Sequence, residues 1–273
     1  MRSILLHIYD DEGMEARLQV ALDLVRNFDG HITCVQAVPF EFGVPSDVYF
    51  SMAMEMASAF RASADRLQEE LESKLEDEDV RWDWIRSNGD AISEIARLAP
   101  LSEIVVLGAR NPTGKPSLPS RLASETVVSV RPPVLLAPPS SSRLQLDAPA
   151  VIAWNGSAEC GHALQASLPL LRRASEVEIL TVREQRPKSN VERLSASDAA
   201  KFLSRHEIEP LITELSPEDD ASIAATLIDA AQARKVGLVI MGAYGRSRLR
   251  ERVLGGVTRD MLCDPALPLL LSH

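Results

Sequence analysis

The chain repeats itself at domain length. Residues 103–138, EIVVLGARNPTGKPSLPSRLASETVVSVRPPVLLAP, follow the same order as residues 237–273, GLVIMGAYGRSRLRERVLGGVTRDMLCDPALPLLLSH. In each, an apolar strand, a glycine, a loop, a helical stretch and a proline lead to a final apolar strand. Upstream, SILLHIYDDEGMEARLQVALDLV (3–25) parallels AVIAWNGSAECGHALQASLPLL (150–171). A repeat this long is a duplicated domain rather than a solenoid. The segment PPSSSRLQLDAP, 138–149, is rich in proline and serine and reads as the linker. The expected division is therefore residues 1–139 and 148–273, in keeping with two domains for 273 residues.

Each copy alternates short apolar runs with helically spaced stretches. In the second half VIAW, VEILTV, EPLITEL, LVIM and PLLL are the strands. Short continuous apolar strands separated by helices imply a parallel sheet covered on both faces. The fold class is α/β, two tandem doubly wound domains. Ser216-Pro217-Glu218-Asp219 has the composition of a helix start, and a longer helix is expected from about Asp47 to Leu75. Within it Met52, Met54 and Met56 are read as core-facing, with a sticky partner surface as the other reading, and Glu76 to Asp79 as a solvated turn.

Composition narrows the function classes. A net charge of −10 argues against non-specific binding to nucleic acid or to an anionic membrane surface. No stretch approaches the ~20 apolar residues of a membrane span, and the start, MRSILLHIYDDEG, has too short an apolar run for a signal peptide. Cys34, Cys160 and Cys263 are widely separated, and the five histidines lack ligand spacing, so neither a disulfide framework nor a metal site is expected. A reduced, cytoplasmic setting is the simplest expectation.

The chemistry concentrates in MGAYGRSRLRERVLGGVT, 241–258. In a doubly wound sheet, ligands bind beyond the carboxyl ends of strands where strand order reverses. The first strand of the second half ends at Ala153-Trp154-Asn155-Gly156 and the fourth at Met241-Gly242, so the two ends form one crevice if those strands are neighbours. Gly242 and Gly245 would permit close backbone approach. Gly255-Gly256-Val257-Thr258 precedes the helical VTRDML, which would present free amides, a positive dipole end and the Thr258 hydroxyl to an anion, with Arg246 and Ser247 in reach from the loop.

This loop resembles the G-x2-G-x9-G-[ST] signature of the ATP-binding universal stress proteins, and AWNGSAECGHAL resembles the first strand and helix of that family. The resemblance implies five-stranded, Rossmann-like domains of the adenine nucleotide α-hydrolase-like group, with ATP or a related adenine nucleotide, with or without magnesium, in the second half. Ala153 and Asn155 would flank adenine and ribose, and Val182 would offer backbone to the base. Met241 and Gly242 would lie under the nucleotide, Tyr244 and Gly245 along the loop, and Gly255, Gly256, Val257 and Thr258 at the phosphates. Asn155 stands where the family usually has an acid, and Gly256 where it has a hydroxyl residue.

The first half keeps Gly108 but has Asn111 at the second glycine, prolines 112, 116 and 119 in the loop, and Glu125 near the expected phosphate position. A negative charge there opposes phosphate, so a vacant or remodelled first site is expected. GARNPTGKPS imitates a P-loop but has five residues between Gly108 and Gly114 and Pro116 where a hydroxyl would hold magnesium. No nucleophile elbow, Cys/His couple or acid/base pair stands beside the loop, so no catalytic residue is assigned.

The leading expectation is a stress-response regulatory protein that binds one nucleotide per chain and alters contacts with an unidentified protein partner, with slow ATP hydrolysis at most. A nucleotide-free scaffold is the alternative, and an adenylyl-transferring enzyme is disfavoured by the lack of HxGH-like or KMSKS-like signatures. The final strands, Pro133–Ala137 and Pro268–Leu271, are expected to pair the halves as they do between subunits of single-domain relatives, and a homodimer remains compatible with the sequence.

Overall fold

The computed structural model describes residues 1–38, 58–109, 119–183, 193–217, 221–245, 256–263 and 265–273, with the backbone alone over 47–57. The first half runs β1 (Ser3–Ile8), α1 (Met14–Phe28), β2 (His31–Val38), α2 (Asp47–Asp77), β3 (Arg81–Asn88), α3 (Ala91–Leu98), β4 (Ile104–Gly108), α4 (Arg121–Ser129) and β5 (Val134–Ala137). The second repeats it as β6 (Ala150–Ala153), α5 (Ala158–Leu171), β7 (Val177–Val182), α6 (Ala196–Ser204), β8 (Leu211–Leu215), α7 (Ile223–Ala233), β9 (Leu238–Gly242), α8 (Gly256–Cys263) and β10 (Leu269–Ser272).

All ten strands join one sheet in the order β3-β2-β1-β4-β5-β10-β9-β6-β7-β8. Each half is parallel throughout, and the halves meet at one antiparallel seam, Leu269 opposite Leu136, Leu270 opposite Leu135 and Leu271 opposite Val134. The expected pairing of the final strands is thus present. Residues of the central strands β1, β4, β5, β9 and β10 are almost all buried, because helices cover both faces, whereas the edge strands β3 and β8 are half exposed. One face packs Ile4, Leu6, Ile152, Ile240 and Leu270 under α1, α2, α5 and α6. The other packs Leu5, Val35, Val151, Val239 and Leu269 under α3, α4, α7 and α8.

The linker is tied down. Leu144 and Leu146 are buried, and the Leu144 amide donates to Asp23 of α1 at 2.7 Å. At the far end of α5, Arg173 donates to the Asn27 carbonyl at 2.7 Å and lies over the Phe28 ring, 5.5 Å from its centroid.

Two local expectations move. The helix expected at Ser216 begins instead at Ile223, where the Ser222 hydroxyl accepts from the Ala225 amide at 3.1 Å. A hydroxyl N-cap and the apolar IAATL run after it outweigh the Ser-Pro-Glu-Asp signal. The long helix continues through Glu76 and Asp77, leaving the turn to Glu78 and Asp79, whose positive φ of 49° ends it. The side chains of Met52, Met54 and Met56 lie outside the described residues.

Candidate functional site

Strand order reverses between β6 and β9. β6 pairs with β7 on one side and with β9 on the other, both in parallel. The connections leaving β6 and β9 therefore diverge to opposite faces of the sheet, and a crevice opens beyond Ala153 and Met241. It holds a cavity of about 640 Å³, within the range of small-molecule sites.

Its floor is apolar, made by Ala153, Leu180 and Met241, with Ile223 and Leu227 of α7 as one wall. Polar groups gather at the ends. Val257 and Thr258 bring in the first turn of α8, where the amides have no partner within the helix and the dipole favours an anion. Arg183 and Arg193 supply positive charge at the rim: Arg183 pairs with Glu214 at 2.7 Å, and Arg193 donates to the Asn155 carbonyl at 3.4 Å. The Trp154 indole closes the opposite side by donating to the Leu194 carbonyl at 3.1 Å.

Of the positions expected from sequence, Ala153, Asn155, Val182, Met241, Gly242, Val257 and Thr258 all line this cavity. Gly256 opens α8 beside them, exposed, and among the described residues nothing would touch a Cβ placed there. Gly255, Arg246 and Ser247 lie outside the described residues. Tyr244 and Gly245 stand apart from the lining. Tyr244, at φ 56°, packs its ring against the core on the face covered by α3, α4, α7 and α8. Its hydroxyl lies buried beside that of Ser124 in α4; burial pushes the phenol pKa up, and Ser124 opposes that rise. A side chain at Gly245 would run toward the buried Glu159 carboxylate, 3.6 Å away.

Gly242 has a reason of its own. A Cβ there would collide with the backbone of Glu159 and Cys160, so the glycine lets β9 pass under the start of α5. Asn155 is likewise committed locally: its Oδ1 accepts from the Ser157 amide at 3.0 Å and from the Cys160 thiol at 3.1 Å. Because Ser157 N–H can only donate, the amide orientation is fixed and Nδ2 is left as the donor toward a ligand.

Cys160, Arg183, Arg193, Ser195 and Glu214 were not singled out by sequence. Arg183 directly follows the end of β7 and was legible from the strand-end rule. Arg193 and Ser195 reach the cavity only through the return of the chain from β7 to α6, which no periodicity announces.

The first half is built differently at the matching place. β1 pairs Ile4 with Ile104, β6 pairs Ala150 with Leu238, and β4 and β9 both end in glycine, so Ala153 corresponds to His7. His7 is buried, stacked on Tyr9 with centroids 6.1 Å apart, and burial together with the Arg17 charge pushes its pKa down to about 3. Its ring fills space that Ala153 leaves open. On the other face Arg17 packs against Gly108, where a Cβ would meet its guanidinium, and pairs with Asp11 at 2.8 Å and the Tyr9 carbonyl at 2.8 Å.

A doubly wound α/β domain with its cavity at the switch point and a helix N-terminus at one end belongs to the broad class of nucleotide-fold proteins. Within that class, residues 149–271 match the universal stress protein family, and the chain carries a universal stress protein domain in its second half, with a first half of the same fold. No curated protein matches the sequence. Among solved structures, a universal stress protein from Archaeoglobus fulgidus is similar over 99% of this chain and 97% of its own, with a TM-score of 0.73 at 15% identity. A putative universal stress protein from Pseudomonas aeruginosa is similar over 100% of this chain and 93% of its own, with a TM-score of 0.62 at 15% identity. These likenesses extend the shared fold to both halves.

Proposed function

We propose that the second half binds ATP or a related adenine nucleotide and that the protein acts as a nucleotide-responsive regulator in a stress response. The observation that carries this reading is the single cavity joining an apolar slot at Ala153, Leu180 and Met241 to the N-terminus of α8 at Val257 and Thr258. A planar apolar base and a polyanion are the two chemistries those ends favour, at the spacing one molecule can bridge. Thr258, buried at the cavity edge, would add a hydroxyl donor to the amides of α8. Arg193 would neutralise charge at the rim.

Titration calorimetry of the full chain with ATP and magnesium, together with mass spectrometry of ligand released from purified protein, tests this. One site per chain and a co-purifying adenine nucleotide are expected. No heat and no released adenine nucleotide would sink the proposal and favour the nucleotide-free scaffold, a reading supported by the internal engagement of Asn155 Oδ1. Replacing Gly255 with a bulkier residue is expected to abolish binding. Gly108 is a poor control, since a side chain there displaces buried Arg17; His7 serves better, because it is buried at the first half's counterpart of Ala153.

A further inference from the structure

The second-half cavity carries a further group of donors, across the strand ends from α8. In this half α7 and α8 cover one face of the sheet, and α5 and α6 the opposite one. Asn155 and Arg193 line the cavity from the second side, just ahead of α5 and α6. The backbone that carries Arg193 is anchored there. The Leu194 amide donates to the Gly156 carbonyl at 3.2 Å, and the Leu194 carbonyl accepts from the Trp154 indole at 3.1 Å. Gly156, at φ 74°, permits this approach, since a Cβ would strike the Leu194 carbonyl oxygen.

Both side chains have only donors to give a bound molecule. Asn155 Oδ1 already accepts from the Ser157 amide and the Cys160 thiol, which leaves Nδ2. Arg193 donates to a neutral group, the Asn155 carbonyl at 3.4 Å, and among the described residues no carboxylate pairs with it. Arg183, by contrast, is neutralised by Glu214. A chain of net charge −10 thus holds a cation without a described counter-charge at the cavity's edge. A phosphate chain seated at the first turn of α8 would leave that cation unmatched. Asn155 lies two residues beyond Ala153 of the apolar slot, so a base in the slot would bring its sugar, its own substituent, to this edge.

We infer that the cavity prefers a nucleotide with a second phosphate on its sugar, at the 2′ or 3′ oxygen, held by the Arg193 guanidinium and the Asn155 amide. The inference rests on nucleotide binding in the second half. AMP, adenosine 2′,5′-bisphosphate and adenosine 3′,5′-bisphosphate differ in that phosphate alone. Titrated into the full chain, one bisphosphate is expected to bind at least about tenfold more tightly than AMP, the worth of one hydrogen bond to a charged group. The tighter isomer identifies the oxygen. Arg193→Gln should bring the ratio of bisphosphate to AMP affinity close to one; a ratio left intact would overturn the inference. In the wild type, the phosphorus resonance of the sugar phosphate should titrate at lower pH when bound than when free, because a guanidinium favours the dianion. That measurement keeps the test decisive where the variant fails to fold. AMP or ATP binding with neither bisphosphate tighter than AMP, or a sugar phosphate whose titration is unchanged on binding, would overturn this inference and leave the nucleotide reading standing. No binding of ATP, AMP or either bisphosphate would sink both.

Discussion

Single residues here carry distinct physical loads, and each predicts a different readout. His7 is held neutral, with its pKa pushed down to about 3 by burial and by Arg17. In the unfolded chain it titrates near the ordinary value of 6.5. Above that value both states are neutral and pH has no effect through this residue. Between about 6.5 and 3 the unfolded state binds the proton and the folded state does not, so stability falls as pH falls, by up to ~1.4 kcal/mol per pH unit. Denaturant titrations at stepped pH should show that slope, and His7→Leu should flatten it. Gly242→Ala would drive a Cβ into the Glu159–Cys160 backbone, which cannot yield as a flexible side chain would. A loss of about 2 kcal/mol or more is expected in unfolding experiments, by analogy with overpacked cores. Thr258→Val should leave stability nearly unchanged and weaken ATP about tenfold by calorimetry, since it removes one hydrogen bond to a charged group.

At the scale of elements, the first turn of α8 is the part that decides between anion binding and ordinary helix capping. Gly256→Asp makes the two separable. The side chain meets nothing among the described residues, and a carboxylate in the first turn favours the helix by about 0.3–1 kcal/mol. The same charge would oppose phosphate. Helix stability and ATP affinity should therefore move in opposite directions, the latter by tenfold or more; an unchanged affinity would place the phosphates elsewhere. Element starts also show where sequence signals compete. Ser216-Pro217 has the composition of a cap, yet Ser222 makes the cap hydrogen bond, because only there does the apolar face of α7, with Ala224, Leu227 and Ala231, reach the sheet. The glycines of the loop proved to be of several kinds: Gly242 is required by helix packing, while nothing among the described residues crowds Gly256. A glycine count in the sequence cannot separate these, since the difference is the distance to a chain segment some 80 residues away.

For the whole molecule, the seam between β5 and β10 turns two domains into one ten-stranded sheet. Leu135, Leu136, Leu270 and Leu271 on the seam are all 0% exposed, so separating the halves would uncover fully buried leucines. The buried linker leucines and the Arg173 contacts to α1 add to the connection. Calorimetric unfolding should accordingly show one transition for both halves, raised by ATP as a unit. Leu270→Arg should abolish it; two independent transitions in the wild type would contradict the shared core. Tyr244 places the end of β9 against α4 of the first half, so the two copies touch there as well as at the seam.

The sequence by itself determined the duplication, the strand and helix alternation and most of the cavity floor. Those follow from local patterning: continuous apolar strands have only a doubly covered parallel sheet to enter, and ligand positions at a switch point are set by strand ends. Only the tertiary structure decided that His7 is buried where the second half has Ala153, that Asn155 Oδ1 is taken by Ser157 and Cys160, that Tyr244 points toward the other copy, and that Arg193 reaches the cavity. Each of these depends on which distant group a side chain meets, on the space a neighbour leaves and on which hydrogen-bonding atom is already taken. Such quantities exist only once the chain has closed on itself.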